Sequence, residues 1–378
     1  MSTSNHLSQT LADLKRSMDS YGSVESRRKG GIGRLERLVN RVLRRPILRH
    51  LYQQREINHA VVCALDQLAD AYKMHMTPHS TDQDLTAFLG LTADPLYVSG
   101  RERLRQSVLD RLHGCSPEGA TPAEMDGYIG EASLRFGATI ELLRPHIAHG
   151  LQVKLLEIGS NPYFLTLMLK DNFPDLVCTG VNYFEGSYPV QSMQRQLVND
   201  PQGRLSEVSF FHANVEEHSL EALRAFDVCL FCEVIEHLPF DPAWALYNIV
   251  RTLRLGGILL LTTPNPARLE NLEKMIRHRA TFSDPVSGYG IHGRHNREYS
   301  ASELVELCSE TGLTILNTHT IDVVPTLYSR DAEAKGFGAY HMILARLDET
   351  ARLFRPAWLY RSFAAERLAS RAPLIPGK

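Results

Sequence analysis

Short apolar runs recur through the middle of the chain, at about 153–158, 176–182, 207–213, 226–232 and 257–263, and each has the length of a buried strand. Helical spacing separates most of them: Phe164 to Asn172, a weaker stretch from Gln191 to Val198, and Pro242 to Leu255. Asp241 caps the last of these, and Gly256 and Gly257 close it. Upstream, Thr121-Pro122-Ala123-Glu124 is a capping box with proline at the first helical position, so a helix is predicted to about Pro145, broken near Gly130. Downstream, Ser300-Ala301-Ser302-Glu303 is a second capping box, opening a helix to Gly312 before strands near 313–321 and 339–346. Alternation of strand and helix predicts a parallel, doubly wound α/β sheet covered on both faces, its last two strands pairing as an antiparallel hairpin.

The ends of the chain read differently. Between Glu25 and Glu56 there are ten Arg or Lys against three Glu, and Arg34, Arg37, Arg41, Arg44 and Arg45 fall on one helical arc with Leu35, Leu38, Val39, Val42 and Leu43 on another. Pro46 ends this basic amphipathic helix, and a second helical pattern follows to Tyr72. From Thr350 to Lys378, basic residues interleave with Phe354, Trp358, Tyr360 and Phe363. The organisation expected is therefore a helical region over 1–120, an α/β domain over 121–347 and a basic, aromatic tail over 348–378. A basic face suits a solvated bundle helix, or adsorption to an anionic membrane surface; nucleic acid is disfavoured as a partner.

Composition adds limits. The 378 residues carry a formal charge of -2, so no partner is selected by net charge. No apolar run reaches membrane-span length, and MSTSNHLSQT has no basic stretch followed by an apolar one, so no export signal is expected. Six scattered cysteines fit a reducing, cytoplasmic setting, and Cys229 and Cys232, three apart on a strand, face opposite sides as core residues.

The chemistry gathers after the first strand, where Glu157-Ile158 runs into Gly159-Ser160-Asn161-Pro162-Tyr163-Phe164 and a helix, the position at which open α/β sheets bind nucleotides. A pyrophosphate cofactor is disfavoured, because the second and third glycines of the dinucleotide fingerprint are missing. The segment Glu157-Ile158-Gly159 resembles the first motif of the class I S-adenosylmethionine-dependent methyltransferases. The resemblance continues in order through Gly180-Val181-Asn182, through His212-Ala213-Asn214-Val215-Glu216, and through Phe226-Asp227-Val228 to Glu233-Val234-Ile235-Glu236-His237. It ends with Gly256-Gly257-Ile258 to Thr263-Pro264-Asn265, having covered about 200 residues. It implies a Rossmann-like, seven-stranded sheet and S-adenosyl-L-methionine as cofactor, with Glu157, Gly159, Asn161, Asn182, Asn214, Val215 and Glu233 at the cofactor. Two departures stand out: Asn182 and Asn214 replace the acidic residues that the family places near the ribose and the adenine.

Methyl transfer to a hydroxyl needs a general base, and histidine is the residue most often used. The candidates are His237, at the end of the fourth strand, and His292 and His295 in the polar loop from Pro266 to Tyr299, with His295 preferred; structural roles, as a loop cap or anchor, remain the alternatives. His292 and His295 with Asp284 or Glu298 would make a ligand set, but no rigid helix fixes their spacing and no metal is assigned. The basic leader, the Glu157–Phe164 turn and the His292–Tyr299 loop together resemble methyltransferases of bacterial surface-polysaccharide synthesis. A sugar or glycan acceptor, lipid-linked or free, is the partner this implies. Small-molecule methylation in secondary metabolism or quinone synthesis is the second reading, and a catalytically silent, membrane-associated partner in glycan assembly the third.

Overall fold

The computed structural model describes residues 82–147, 150–202, 204–276, 279–281 and 293–351. The basic segment at 25–56, the tail beyond 351, and Asp284 and His292 lie outside the described residues. One compact unit begins at Asp82, ahead of the boundary that the capping box at Thr121 had suggested. It contains α1 (Asp82–Phe88), α2 (Pro95–Leu112) and then α3 (Pro122–Leu143), which packs on α2.

Nine strands among the described residues form a single sheet in the order β1-β4-β5-β3-β2-β6-β7-β9-β8. These are β1 (Ser116–Pro117), β2 (Val153–Ile158), β3 (Leu176–Asn182), β4 (Ser192–Asn199), β5 (Leu205–His212), β6 (Phe226–Cys232), β7 (Leu253–Pro264), β8 (Leu313–Ile321) and β9 (Tyr340–Leu347). The central strands β5, β3, β2, β6 and β7 are parallel, and β9 is antiparallel to both β7 and β8. Setting aside β1 and β4, this is the seven-stranded Rossmann-like order expected.

The period of two sorts the core. Leu155, Val228, Leu230, Cys232 and Leu260 face α2, α3 and α4 (Phe164–Asn172), whereas Leu156, Cys229, Phe231, Leu259 and Leu261 face α5 (Pro242–Val250) and α6 (Ala301–Glu310). Cys229 and Cys232 accordingly sit in different layers.

Three local expectations are corrected. The stretch from Gln191 to Val198 is strand β4, although Met, Gln, Arg and Leu favour helix. Its antiparallel pairing with β5 along the whole length from Ser192 to Asn199 satisfies the backbone of a sheet edge, and that outweighs a weak local preference. The helix after Asp241 stops at Val250, because Leu253 already pairs with Phe226. Helix α3 runs unbroken past Gly127 and Gly130, since its second half, from Ile129 to Leu143, is held by burial that outweighs about 1 kcal/mol per glycine.

Both capping boxes form. Ser300 Oγ accepts from the Glu303 amide, and the Glu303 carboxylate accepts in return from the Ser300 amide at 3.0 Å. Ser300→Ala is expected to lower stability by about 1 kcal/mol in urea denaturation, and an unchanged midpoint would show that this cap contributes nothing.

Candidate active site

The carboxyl ends of β2 and β6 are neighbours, with Ile158 opposite Phe231, so the two turns that follow them meet. Gly159 begins the first turn at φ +70°, a conformation that favours glycine, and a Cβ there would come within 2.5 Å of Val234 Cγ2 in the second. Glycine is thus required twice over.

Glu157 lies beneath this turn, buried, with its carboxylate accepting from Thr166 Oγ1. Burial raises its pKa to about 7, while Thr166 and the positive charge of Arg135 pull the other way. A buried acid held short of its counter-charge is suited to the ammonium group of an amino-acid moiety. This acid, below a turn that only glycine allows, fits the methionine end of S-adenosylmethionine.

Asn182, expected near the ribose, braces the turn. Its Nδ2 donates to Ser160 Oγ at 2.9 Å and to Tyr163 Oη at 3.0 Å, and its Oδ1 accepts from the Asn161 amide at 3.1 Å. Both donors are spent on the turn, which leaves a ribose only the remaining lone pair of Oδ1. Asn161 is exposed, and its backbone amide is what this bond fixes. Beyond β5, Asn214 Oδ1 accepts from the Glu216 amide and the Asn214 amide donates to His218 Nδ1. Val215, also expected at the cofactor, has its side chain buried in the α5 layer. Tyr183 stacks on His212 with ring centroids 5.3 Å apart, presenting an aromatic surface in the same region.

On the other side of the turn, acidic and imidazole groups gather. Glu233, at φ +55°, accepts from Thr262 Oγ1 at 2.7 Å, and burial raises its pKa. Arg135, reaching in from α3, is 6% exposed and lies over the rings of Phe136 and Tyr340. Burial works against its charge, but the Glu233 carboxylate overrides that and raises its pKa. Glu236 is fully buried; its Oε2 accepts from Thr263 Oγ1 at 2.9 Å, and its Oε1 has no hydrogen-bond partner among the described residues. Burial first, and then the negative charge of Glu233, push its pKa well up.

The loop that carries His295 is tied to this point. The amides of Asn296 and Arg297 donate to the Glu236 carbonyl, and Asn296 Nδ2 donates to the His237 carbonyl at 2.8 Å. His237 Nδ1 faces the Arg294 carbonyl at 3.0 Å; a carbonyl only accepts, so Nδ1 donates to it, and the other ring nitrogen, Nε2, lies 3.9 Å from Glu236 Oε1. The His237 and His295 rings meet edge-on, 4.9 Å apart, and His295 Nδ1 lies 3.7 Å from Glu298 Oε1. Burial would raise Glu298, but His295 and Arg268, the latter at 2.9 Å, hold its carboxyl below the usual range. Sequence reasoning therefore placed His237 and His295 in one site. It did not single out Arg135 or Glu236; Arg135 stands in the apolar run Ala132–Ala138, where a charge needs a buried partner, and Glu236 stands three places after Glu233.

Residues 101–318 match the family described as a methyltransferase domain. The chain belongs to that family. Its methyltransferase domain is of the S-adenosylmethionine-dependent kind, in agreement with the fit at Glu157 and Gly159. A probable S-adenosylmethionine-dependent methyltransferase of Mycolicibacterium smegmatis is 34% identical over 115 residues, which are 30% of this chain and 38% of that protein. The match thus spans well under half of that relative. Among solved structures, the domain is similar to the 1,6-didemethyltoxoflavin N1-methyltransferase of Burkholderia thailandensis with S-adenosylhomocysteine bound, at 18% identity over 73% of this chain and 94% of the other, TM-score 0.38. It is also similar to the small RNA methyltransferase HEN1, at 14% identity over 57% of this chain and 25% of the other, TM-score 0.38.

Proposed function

We propose that this methyltransferase O-methylates a sugar or glycan acceptor. The observation that carries the reading is the cluster of Glu236, His237 and His295 beside the Glu157–Gly159 turn, which is suited to activating a hydroxyl and is more than an amine acceptor, whose free base is already nucleophilic, would need. S-adenosylmethionine supplies a methyl group on a sulfonium: the S–CH3 bond breaks with its electrons kept by sulfur while the acceptor oxygen forms the O–CH3 bond. The chain's task is to hold the two reactants in line and to ease the proton off the oxygen. Glu157 and the Gly159 turn hold the methionine end, with Asn214 and Tyr183 towards the adenine. The Glu236–His237–His295 cluster faces the acceptor, and the loop that bears His295 is fixed over it through Glu236 and His237.

A sugar is favoured over other hydroxyl acceptors by the resemblance in the turn and loop to surface-polysaccharide methyltransferases. Docking of the basic 25–56 segment on an anionic membrane surface belongs to the same proposal and rests on charge alone. No helix among the described residues is long and apolar enough to cross a membrane.

Incubation of the full chain with methyl-labelled cofactor and a panel of glycan extracts is expected to label a sugar hydroxyl. Label appearing only in quinone-like or other small aromatic acceptors would overturn the glycan reading. Failure to bind S-adenosylmethionine in calorimetry would overturn the enzyme reading in favour of a silent assembly partner.

A further inference from the structure

We infer that Glu236, His237 and His295 form a binding site for a divalent transition-metal cation, which holds the hydroxyl oxygen of the acceptor. The inference deepens the O-methyltransferase reading and rests on it for the acceptor, though not for the cation.

One ligand atom from each of the three residues lies within 4.8 Å of the others. Ligands about 2.0–2.2 Å from a common ion are themselves roughly 3–4 Å apart, so small side-chain rotations close the set. The second observation is independent of that spacing. Glu236 is 0% exposed, yet its Oε1 has no hydrogen-bond partner among the described residues and points to the His237 side, 3.9 Å from Nε2. An oxygen of this kind, left without a donor, keeps the full cost of its desolvation, and a cation is the partner that the neighbouring imidazoles share with it.

Each candidate ligand also has a support behind it. Thr263 holds the other oxygen of Glu236, the Arg294 carbonyl holds Nδ1 of His237, and the Glu298 carboxylate, itself gripped by Arg268, faces Nδ1 of His295. Supports of this type orient metal-binding imidazoles and carboxylates, fixing the tautomer and aiming the remaining lone pair. Two imidazoles with one carboxylate select Mn, Fe, Co or Zn over Mg or Ca, and three protein ligands leave open positions for a substrate oxygen. A hydroxyl held there is a stronger acid and gives its proton to water as the O–CH3 bond forms, so the imidazoles act as ligands and not, as the sequence suggested, as the base.

The test is calorimetric titration of the full, chelator-stripped chain with Mn2+, alongside Glu236→Gln and His295→Ala, with S-adenosylmethionine binding of each variant as the measure of correct folding. The expected result is one Mn2+ per chain, with affinity lowered about tenfold or more in each variant and cofactor affinity retained. A parent chain that binds the cofactor but none of Mn2+, Co2+ or Zn2+ overturns the site, as does equal Mn2+ affinity in a folded His295→Ala. Methyl transfer that survives exhaustive chelation overturns the cation's role while leaving O-methylation standing. Stoichiometric Mn2+ binding lost in the variants, without transfer to any sugar, supports the cation site and overturns the glycan acceptor instead.

Discussion

Gly159→Val is expected to remove S-adenosylmethionine binding, with calorimetry showing an affinity loss of at least about a hundredfold. Two costs combine. A residue with a Cβ at φ +70° is strained by roughly 1–2 kcal/mol, and more for a β-branched one. The new Cβ would also lie 2.5 Å from Val234 Cγ2, so the turn after β2 or the turn after β6 has to move. Because those turns carry Glu157's neighbours on one side and Glu233 to His237 on the other, the displacement reaches both reactants. Alanine carries the same two costs in milder form and should fall between the parent and valine. Parental affinity in the valine variant would show that the cofactor does not lie over this turn.

Glu157→Gln should separate stability from function in the ligand-free protein. An ordinary glutamate ionises near 4.5, but burial places this one at about 7, so between those values the folded chain keeps a proton that the unfolded chain has released. Stability therefore falls as pH rises from about 4.5 to 7 and stays lowered above that. A shift of this size corresponds to at most about 3 kcal/mol. Glutamine retains the hydrogen bond from Thr166 and has no charge to bury. Above pH 7 the variant should match or exceed the parent in urea denaturation while binding S-adenosylmethionine far more weakly, for want of a carboxylate to meet the ammonium group. A variant that is less stable at pH 8 yet binds the cofactor normally would reverse both halves of the argument.

Much of the fold was legible because burial and period agreed. Strands β2, β3 and β6 and helix α4 fall where the apolar runs put them, since each lies in the interior, where one misplaced polar residue would be costly. The legible part of the site was the part written in local order: Glu157-Ile158-Gly159 and Glu233 to His237 each stand at the end of a strand, and strand ends can be read from sequence. Strand β4 was not legible. Its residues form helices well in isolation, and only the facing edge of β5 makes them a strand. Asn182 was read as a ribose ligand because its position matches the family's acidic residue, but its partners, Ser160 and Tyr163, lie about twenty places earlier and no spacing rule connects them. The meeting of His295 with Glu236 depends on backbone bonds from Asn296 and Arg297 across almost sixty residues of sequence.

The turn from Gly159 to Tyr163 keeps a single glycine, and side chains take the place of the missing ones: Asn182 grips Ser160, Asn161 and Tyr163, and the Tyr163 hydroxyl bonds in addition to Gln196 on β4. A turn rich in glycine is loose until its ligand arrives and loses that freedom on binding. Here the ordering has been moved into folding, so the pocket stands ready in advance and association loses little backbone entropy. The same bonds make the edge hairpin of β4 and β5 a splint for the cofactor's seat, and strain applied at that distant rim would be transmitted to the methyl donor through one tyrosine.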